Sequence, residues 1–346
     1  MSKASGVIVA KAKAMHGSQF HSEQYDELLR KKSVAEIARY LKNETGYSVA
    51  LKDVRENNIH RGQLEDILKR DMFQKILKLY RYADSSTKEL YQLYVEQLEI
   101  DLILSRIRVL ISQDFESAIA ELPVFLKDLT SFPLLKLGNV HTYDDLLSVL
   151  ETSIYHTTLQ AYRVAKGKES DIDYTSIETS LQKLYYTHTF DVIDRVTKGK
   201  SKKNMRDFFT MRLDLSNITK IYRLKKYFHA NEEVVRESLI FVEGYQSLVN
   251  LEELIAQRSA QEVMKKLQSG KYKITMSQGE DDYIEHYCEE IIFYVAKKNF
   301  QYSQDTPLVY NSYIILLAQE LENIINIIEG VRYQVDSEDI AKELIY

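Results

Sequence analysis

Asp281, Asp282, Glu285, His286, Glu289 and Glu290 fall at helical spacings of three and four, so one helix face could offer carboxylates and an imidazole to a metal ion. The order is not the Glu-x-x-His arrangement of carboxylate di-iron proteins, and no second half answers it. The run therefore reads as an exposed acidic face. Gly199-Lys200-Ser201 ends like a phosphate-binding loop, yet Asp194 stands where that motif needs its first glycine. The segment before it reads as a helix rather than a buried strand, so ATP binding is not expected. Lys198, Lys200, Lys202, Lys203 and Arg206 read as a solvated loop, with an acidic partner or lipid head groups as the alternative contact. Cys288 shares an apolar pattern with Ile284, Tyr287 and Ile291 and is expected as a small buried residue, not a nucleophile. His156, His188 and the other histidines lack the spaced Cys or Asp partners of a zinc site or a triad. No catalytic residue, cofactor or metal is expected.

The elements that carry these residues are helices. Only 11 glycines and 3 prolines in 346 residues leave little material for hairpins and sharp turns, and strand-like alternation is absent at useful length. A 45% apolar content is enough to bury a sizeable core. The net charge of −5 supplies no basic field for nucleic acid. One cysteine argues against a disulfide-built secreted module, and the first residues are too broken by lysine for a signal peptide. The chain reads as cytoplasmic. The apolar stretches Leu102 to Ile111 and Tyr313 to Ile328 are interrupted by Ser105, Arg106, Gln319, Glu320 and Glu322, so neither reaches the roughly 20 apolar residues of a membrane span.

Apolar residues at Tyr25, Leu28, Leu29, Val34, Ile37 and Leu41 predict two short amphipathic helices, the second capped by Ser33. Leu64, Ile67, Leu68, Phe73, Ile76, Leu77 and Tyr80 predict a longer one. The first pattern returns at constant offset: Glu27-Leu28-Leu29, Ser33-Val34, Glu36-Ile37 and Leu41 reappear as Glu253-Leu254-Ile255, Ser259-Ala260, Glu262-Val263 and Leu267. Leu64-Glu65 with Phe73 is echoed by Ile177-Glu178 with Tyr186 and by Ile284-Glu285 with Phe293. Each copy ends in a helix of one type: Glu99 to Ile103, Asp214 to Ile218 and Glu320 to Ile324. These echoes divide the chain into three helical units, Met1 to Ser131, Phe132 to Ala230 and Asn231 to Tyr346. Their period far exceeds that of common helical solenoids, which favours a closed pseudo-threefold assembly over an open superhelix.

Asp305-Thr306-Pro307-Leu308, Tyr310, Tyr313-Ile314, Glu320-Leu321-Glu322-Asn323-Ile324, Ile327-Ile328, Gly330, Asp339-Ile340 and Leu344 resemble the C-terminal signature of the C subunit of V-type and A-type rotary ATPases. Asp214-Leu215-Ser216-Asn217-Ile218 with Arg223 resembles that family's second copy of the helix, and Tyr25, Glu27-Leu28-Leu29, Leu41 and Thr45-Gly46-Tyr47 its N-terminal copy. The resemblance covers nearly the whole chain. This sequence departs from the pattern at Leu102, where the other copies carry Asn217 and Asn323, and at Gly330, where the second copy has Leu224.

What the resemblance implies is an all-α fold of three homologous helical domains, arranged with pseudo-threefold symmetry as a funnel. The family's funnel stands on the cytoplasmic face of the membrane, seated on the proteolipid ring, and receives the central-stalk subunits D and F. It is a non-catalytic coupling part and a relative of the vacuolar ATPase d subunit. It touches the membrane only through the ring, and its partners include no nucleic acid. Such a part needs a stiff body with two shaped surfaces, which close-packed helices supply. Some of the 25 tyrosines suit the surfaces, with an apolar ring and a polar tip. The polar members of the repeated helix, Glu99, Asp214, Asn217, Lys220, Arg223, Glu320 and Asn323, are the expected partner contacts; the competing role is local pairing that holds the units together. Two rivals stand beside this reading. One is a freestanding helical-repeat adaptor; the other is an all-helical lyase or metal-dependent synthase, which needs paired acidic motifs facing one cavity.

Overall fold

The computed structural model describes residues 3–83, 88–115, 122–273 and 283–346, with the side chains of residues 3–5 left aside. Among these residues every regular element is helical, as the scarcity of glycine and proline requires. The α-helices are α1 (Lys3–His16), α2 (Ser22–Leu29), α3 (Val34–Glu44), α4 (Arg61–Tyr80), α5 (Lys88–Ser112), α6 (Leu134–Leu137), α7 (Tyr143–Val149) and α8 (His156–Gln160). They continue as α9 (Tyr174–Val196), α10 (Gly199–Tyr227), α11 (Glu232–Ser238), α12 (Leu251–Ile255), α13 (Ala260–Ser269), α14 (Ile284–Tyr302), α15 (Thr306–Arg332) and α16 (Ser337–Lys342).

Local chemistry sets many of the starts. The side chains of Ser33, Asp173, Asn231, Asn250 and Ser259 each accept the backbone N–H three residues on. Thr142 and Asp145 form a reciprocal capping box on α7, and a proline in the first turn opens α15. Ser33 with Glu36 and Ser259 with Glu262 are the same cap built twice, on α3 and α13, which agrees with the repeat read from the sequence.

Contacts divide the chain into two compact units, residues 1–88 with 257–346, and residues 89–256. In the first unit α15 is the central helix and packs against α14, α1, α4, α2, α3 and α16. From Thr306 to Gly330 its buried positions run round the whole circumference, the pattern of a helix enclosed by others. Leu308, Val309, Tyr310, Tyr313, Ile324, Ile327 and Ile328 lie there, and each fully buried aliphatic side chain contributes about 1.5–3 kcal/mol. Gly330 has a specific reason to be small: a Cβ there would overlap the side chain of Ile340, so α16 lies directly on α15. In the second unit α10 packs against α9, α11 and α12, while α6, α7 and α8 form a smaller layer of short helices. His188 on α9 is held there against Glu96 at 2.8 Å, and that hydrogen bond raises its pKa above the ordinary imidazole value.

Two local expectations change. The basic run is not a loop: Lys198 is the N-cap of α10, and Lys200, Lys202, Lys203 and Arg206 ride its first turns. Lys202 and Arg206 both reach Asp194, at 3.2 and 2.5 Å, and Lys203 pairs with Asp207. These ion pairs across the α9–α10 turn and along α10 explain why so many cations tolerate a helix start. The acidic face of α14 is also only partly exposed: Glu285 and Glu289 face solvent, but Glu290 is buried with His286 4.0 Å away. Asp281 and Asp282 lie outside the described residues. Cys288 is buried, as its apolar neighbours require.

A thrice-built carboxylate clasp as candidate functional site

The seven polar residues singled out on the repeated helix divide sharply by burial. Glu99, Asp214 and Glu320 are 2%, 0% and 4% exposed, and Asn217 and Asn323 are both 0% exposed. Lys220 is half-buried and Arg223 exposed.

A carboxylate cannot be buried without donors, since leaving it bare costs several kcal/mol. Each of the three finds donors in the same manner, one backbone N–H and one tyrosine hydroxyl. On α5, Glu99 accepts from the Ser131 N–H, from the Ser131 hydroxyl at 3.1 Å and from the Tyr155 hydroxyl at 2.7 Å. On α10, Asp214 accepts from the Leu248 N–H at 2.9 Å and the Tyr245 hydroxyl at 2.5 Å. On α15, Glu320 accepts from the Phe20 N–H at 2.9 Å and the Tyr47 hydroxyl at 2.7 Å. Ser131, Leu248 and Phe20 all belong to segments that precede a short helix: α6, α12 and α2 respectively. Thus each long helix ties down the approach to the next short one, and the last long helix ties down the first. This explains why the two ends of the sequence share one unit.

The asparagines add a second fastening. Asn217 donates to the Ile240 carbonyl at 3.0 Å and accepts the Ile240 N–H at 2.9 Å. Asn323 does the same with Ile345, at 2.7 and 3.1 Å. A side-chain amide thereby imitates a peptide neighbour and satisfies both polar groups of one extended residue. Leu239-Ile240-Phe241 after α11 and Leu344-Ile345-Tyr346 after α16 are matching segments. In the first copy Leu102 offers no such pair, and Arg106 one turn further along α5 instead donates to the Gly138 carbonyl.

Electrostatics follow from the burial. Desolvation raises the pKa of both Glu99 and Glu320 above the ordinary carboxyl value near 4.5, against the lowering effect of their hydrogen bonds. Burial first, and then the adjacent carboxylate, pushes the hydroxyls of Tyr47, Tyr155 and Tyr245 above the ordinary phenol range, so all three remain donors. A pH dependence results. The folded chain holds protons on Glu99 and Glu320 at pH values where the unfolded chain has released them, so their contribution to stability falls as pH rises from about 4.5 through the raised folded values. We expect the stability difference between the wild type and Glu320→Gln, measured by urea unfolding, to move against the wild type over that rise. A difference that stays constant with pH would remove this assignment.

Lys220 and Arg223 lie further along α10, outside the clasp, with the exposed aromatics Tyr227 and Phe228 beyond them at its end. Desolvation lowers the pKa of Lys220, with Glu178 opposing. The sequence reading missed the tyrosines of the clasp and the Leu-Ile segments. It also missed the middle copy of the repeated cap: Thr142 with Asp145 on α7 repeats Ser33 with Glu36 on α3 and Ser259 with Glu262 on α13, and each acid also accepts the N–H of the residue before its cap, Lys32, His141 and Arg258.

The arrangement is mechanical: donors and acceptors are mutually satisfied and join helices to loops. Among the described residues no helix is long and apolar enough to cross a membrane. A search of curated proteins finds no match. The family model described as ATP synthase (C/AC39) subunit matches residues 8–343. With that match running through all three clasps, the chain belongs to the ATP synthase (C/AC39) subunit family and is a subunit of a V-type or A-type rotary ATPase.

Proposed function

We propose that the chain is the non-catalytic connector of its ATPase, joining the central-stalk subunits D and F to the membrane proteolipid ring and passing torque between them. The observation that carries this reading is the clasp built three times. A part that transmits torque must resist bending between its helices, and buried charge-assisted hydrogen bonds at the same point of each long helix fix the neighbouring loops more firmly than apolar packing alone. The division at 1–131, 132–230 and 231–346 belongs to the same proposal, each segment supplying one long helix with its acid.

Within it the seven polar residues take two roles. Glu99, Asp214, Asn217, Glu320 and Asn323 brace the wall from inside. Lys220 and Arg223, with Tyr227 and Phe228 beyond them, offer cations and aromatic faces suited to a protein partner. In this reading the chain reaches the membrane only through the ring, on its cytoplasmic face. Calorimetric titration of the purified chain with a purified D–F heterodimer tests it. A saturable one-to-one complex weakened by Arg223→Glu is expected. No binding at concentrations of about 10 μM, with the chain folded and helical, would turn the reading toward a freestanding adaptor.

A further inference from the structure

After α1 the chain turns sharply. The Ser18 N–H bonds to the Met15 carbonyl at 3.2 Å, the Gln19 N–H to the His16 carbonyl at 2.9 Å, and Phe20 is then caught by Glu320. Between this turn and helices α2, α14 and α15 lies a cleft of about 630 Å³, within the size range of small-molecule sites. Its lining has a basic side and an apolar side. His16, His21 and Lys297 bring three nitrogen-bearing side chains from α1, the turn and α14 to one opening, while Phe293, Leu316 and Tyr346 supply apolar surface. His16 is stacked on Phe300 at 4.7 Å, and Lys297 lies over the Phe293 ring at 5.4 Å, so both are held in place before any ligand arrives. Two acids also line the cleft. Glu320 is committed to Phe20 and Tyr47, and Glu23 is exposed on α2.

We propose that this cleft binds a small molecule made of a phosphate group on an apolar body. His16, His21 and Lys297 surround the phosphate oxygens, and Phe293 and Tyr346 cover the body. A phosphate suits three separate donors because it presents three terminal oxygens, where a carboxylate presents two. Binding is coupled to proton uptake. Burial, then the nearby His21 and Lys297, holds His16 below the ordinary imidazole value, and an anion set among these groups reverses the repulsion. The titratable and charged groups facing the phosphate are His16, His21, Glu23, Tyr25, Lys297, Glu320 and Tyr346. The shared chemistry fits a free organic phosphate or a phospholipid head group.

The whole chain is titrated calorimetrically with phenyl phosphate at about pH 6 and about pH 8, and floated with phosphatidylcholine vesicles with and without phosphatidic acid. One saturable site is expected, weakened about tenfold by Lys297→Ala and by the higher pH, with the His16 ring titrating at a higher pH in the complex by NMR. Lys297 dependence with phenyl phosphate alone assigns the site to free phosphates, and dependence with the vesicles assigns it to a head group. Lys297 and His16 are half-buried rim residues, so the melting temperatures of Lys297→Ala and His16→Asn serve as the folding control. Failure of both probes, or binding indifferent to both variants, overturns the proposal whether or not the chain binds a stalk.

Discussion

Replacing Asn217 by leucine, the residue that stands at the equivalent position 102 of the first copy, lowers the unfolding free energy by about 2–5 kcal/mol. The substitution nearly preserves volume, so packing changes little; what it removes is the pair of bonds to the Ile240 N–H and carbonyl. Both groups belong to a residue that is 0% exposed, and no water reaches it without opening the core. Each unpaired backbone group costs about 1–3 kcal/mol. Asn323→Leu, which strips Ile345 in the same way, has a loss of the same size. Urea unfolding followed by circular dichroism measures both. A midpoint unchanged in either variant would show that the backbone groups find other partners and that the asparagine is not a fastening.

Asp214→Ala is expected to cost about 3 kcal/mol, because it leaves the Leu248 N–H without its acceptor and the Tyr245 hydroxyl without its charge partner. Its second readout separates the two roles open to the repeated helix. If the acid is an internal brace, the melting temperature falls while the folded fraction binds the stalk heterodimer with unchanged affinity. If Asp214 touches the stalk, affinity falls in a variant that is otherwise stable. The 0% exposure of Asp214 and its two internal donors favour the brace. Arg223→Glu is the counterpart, with weakened stalk binding expected, since Arg223 lies on the exposed side of α10.

Much of the architecture was legible because it depends on local rules. The scarcity of glycine and proline, the three-and-four spacing of apolar residues and caps such as Ser33 and Ser259 act within a few neighbours, so the helical class and the repeated cap follow from the letters alone. The buried acids were also legible as a set, because Glu99, Asp214 and Glu320 recur in one helix pattern. Their partners were not. Tyr47 lies 273 residues from Glu320 and Phe20 lies 300, and no periodicity reports a contact across such separations. The basic run at Lys198 was misread as a loop because its cations look unfavourable in a helix start until Asp194 and Asp207 are brought beside them.

The sequence by itself determined that this protein is helical, repeats one helix type three times and carries an acid at the same place in each. Those properties reside in short stretches of chain and need no folding partner to be expressed. Tertiary structure alone decided what the acids do. Whether a carboxylate reaches outward to a partner or inward to a loop depends on which distant N–H and hydroxyl the packing delivers to it. Here the packing delivers Ser131 with Tyr155, Leu248 with Tyr245, and Phe20 with Tyr47, and desolvation then makes those bonds costly to lose.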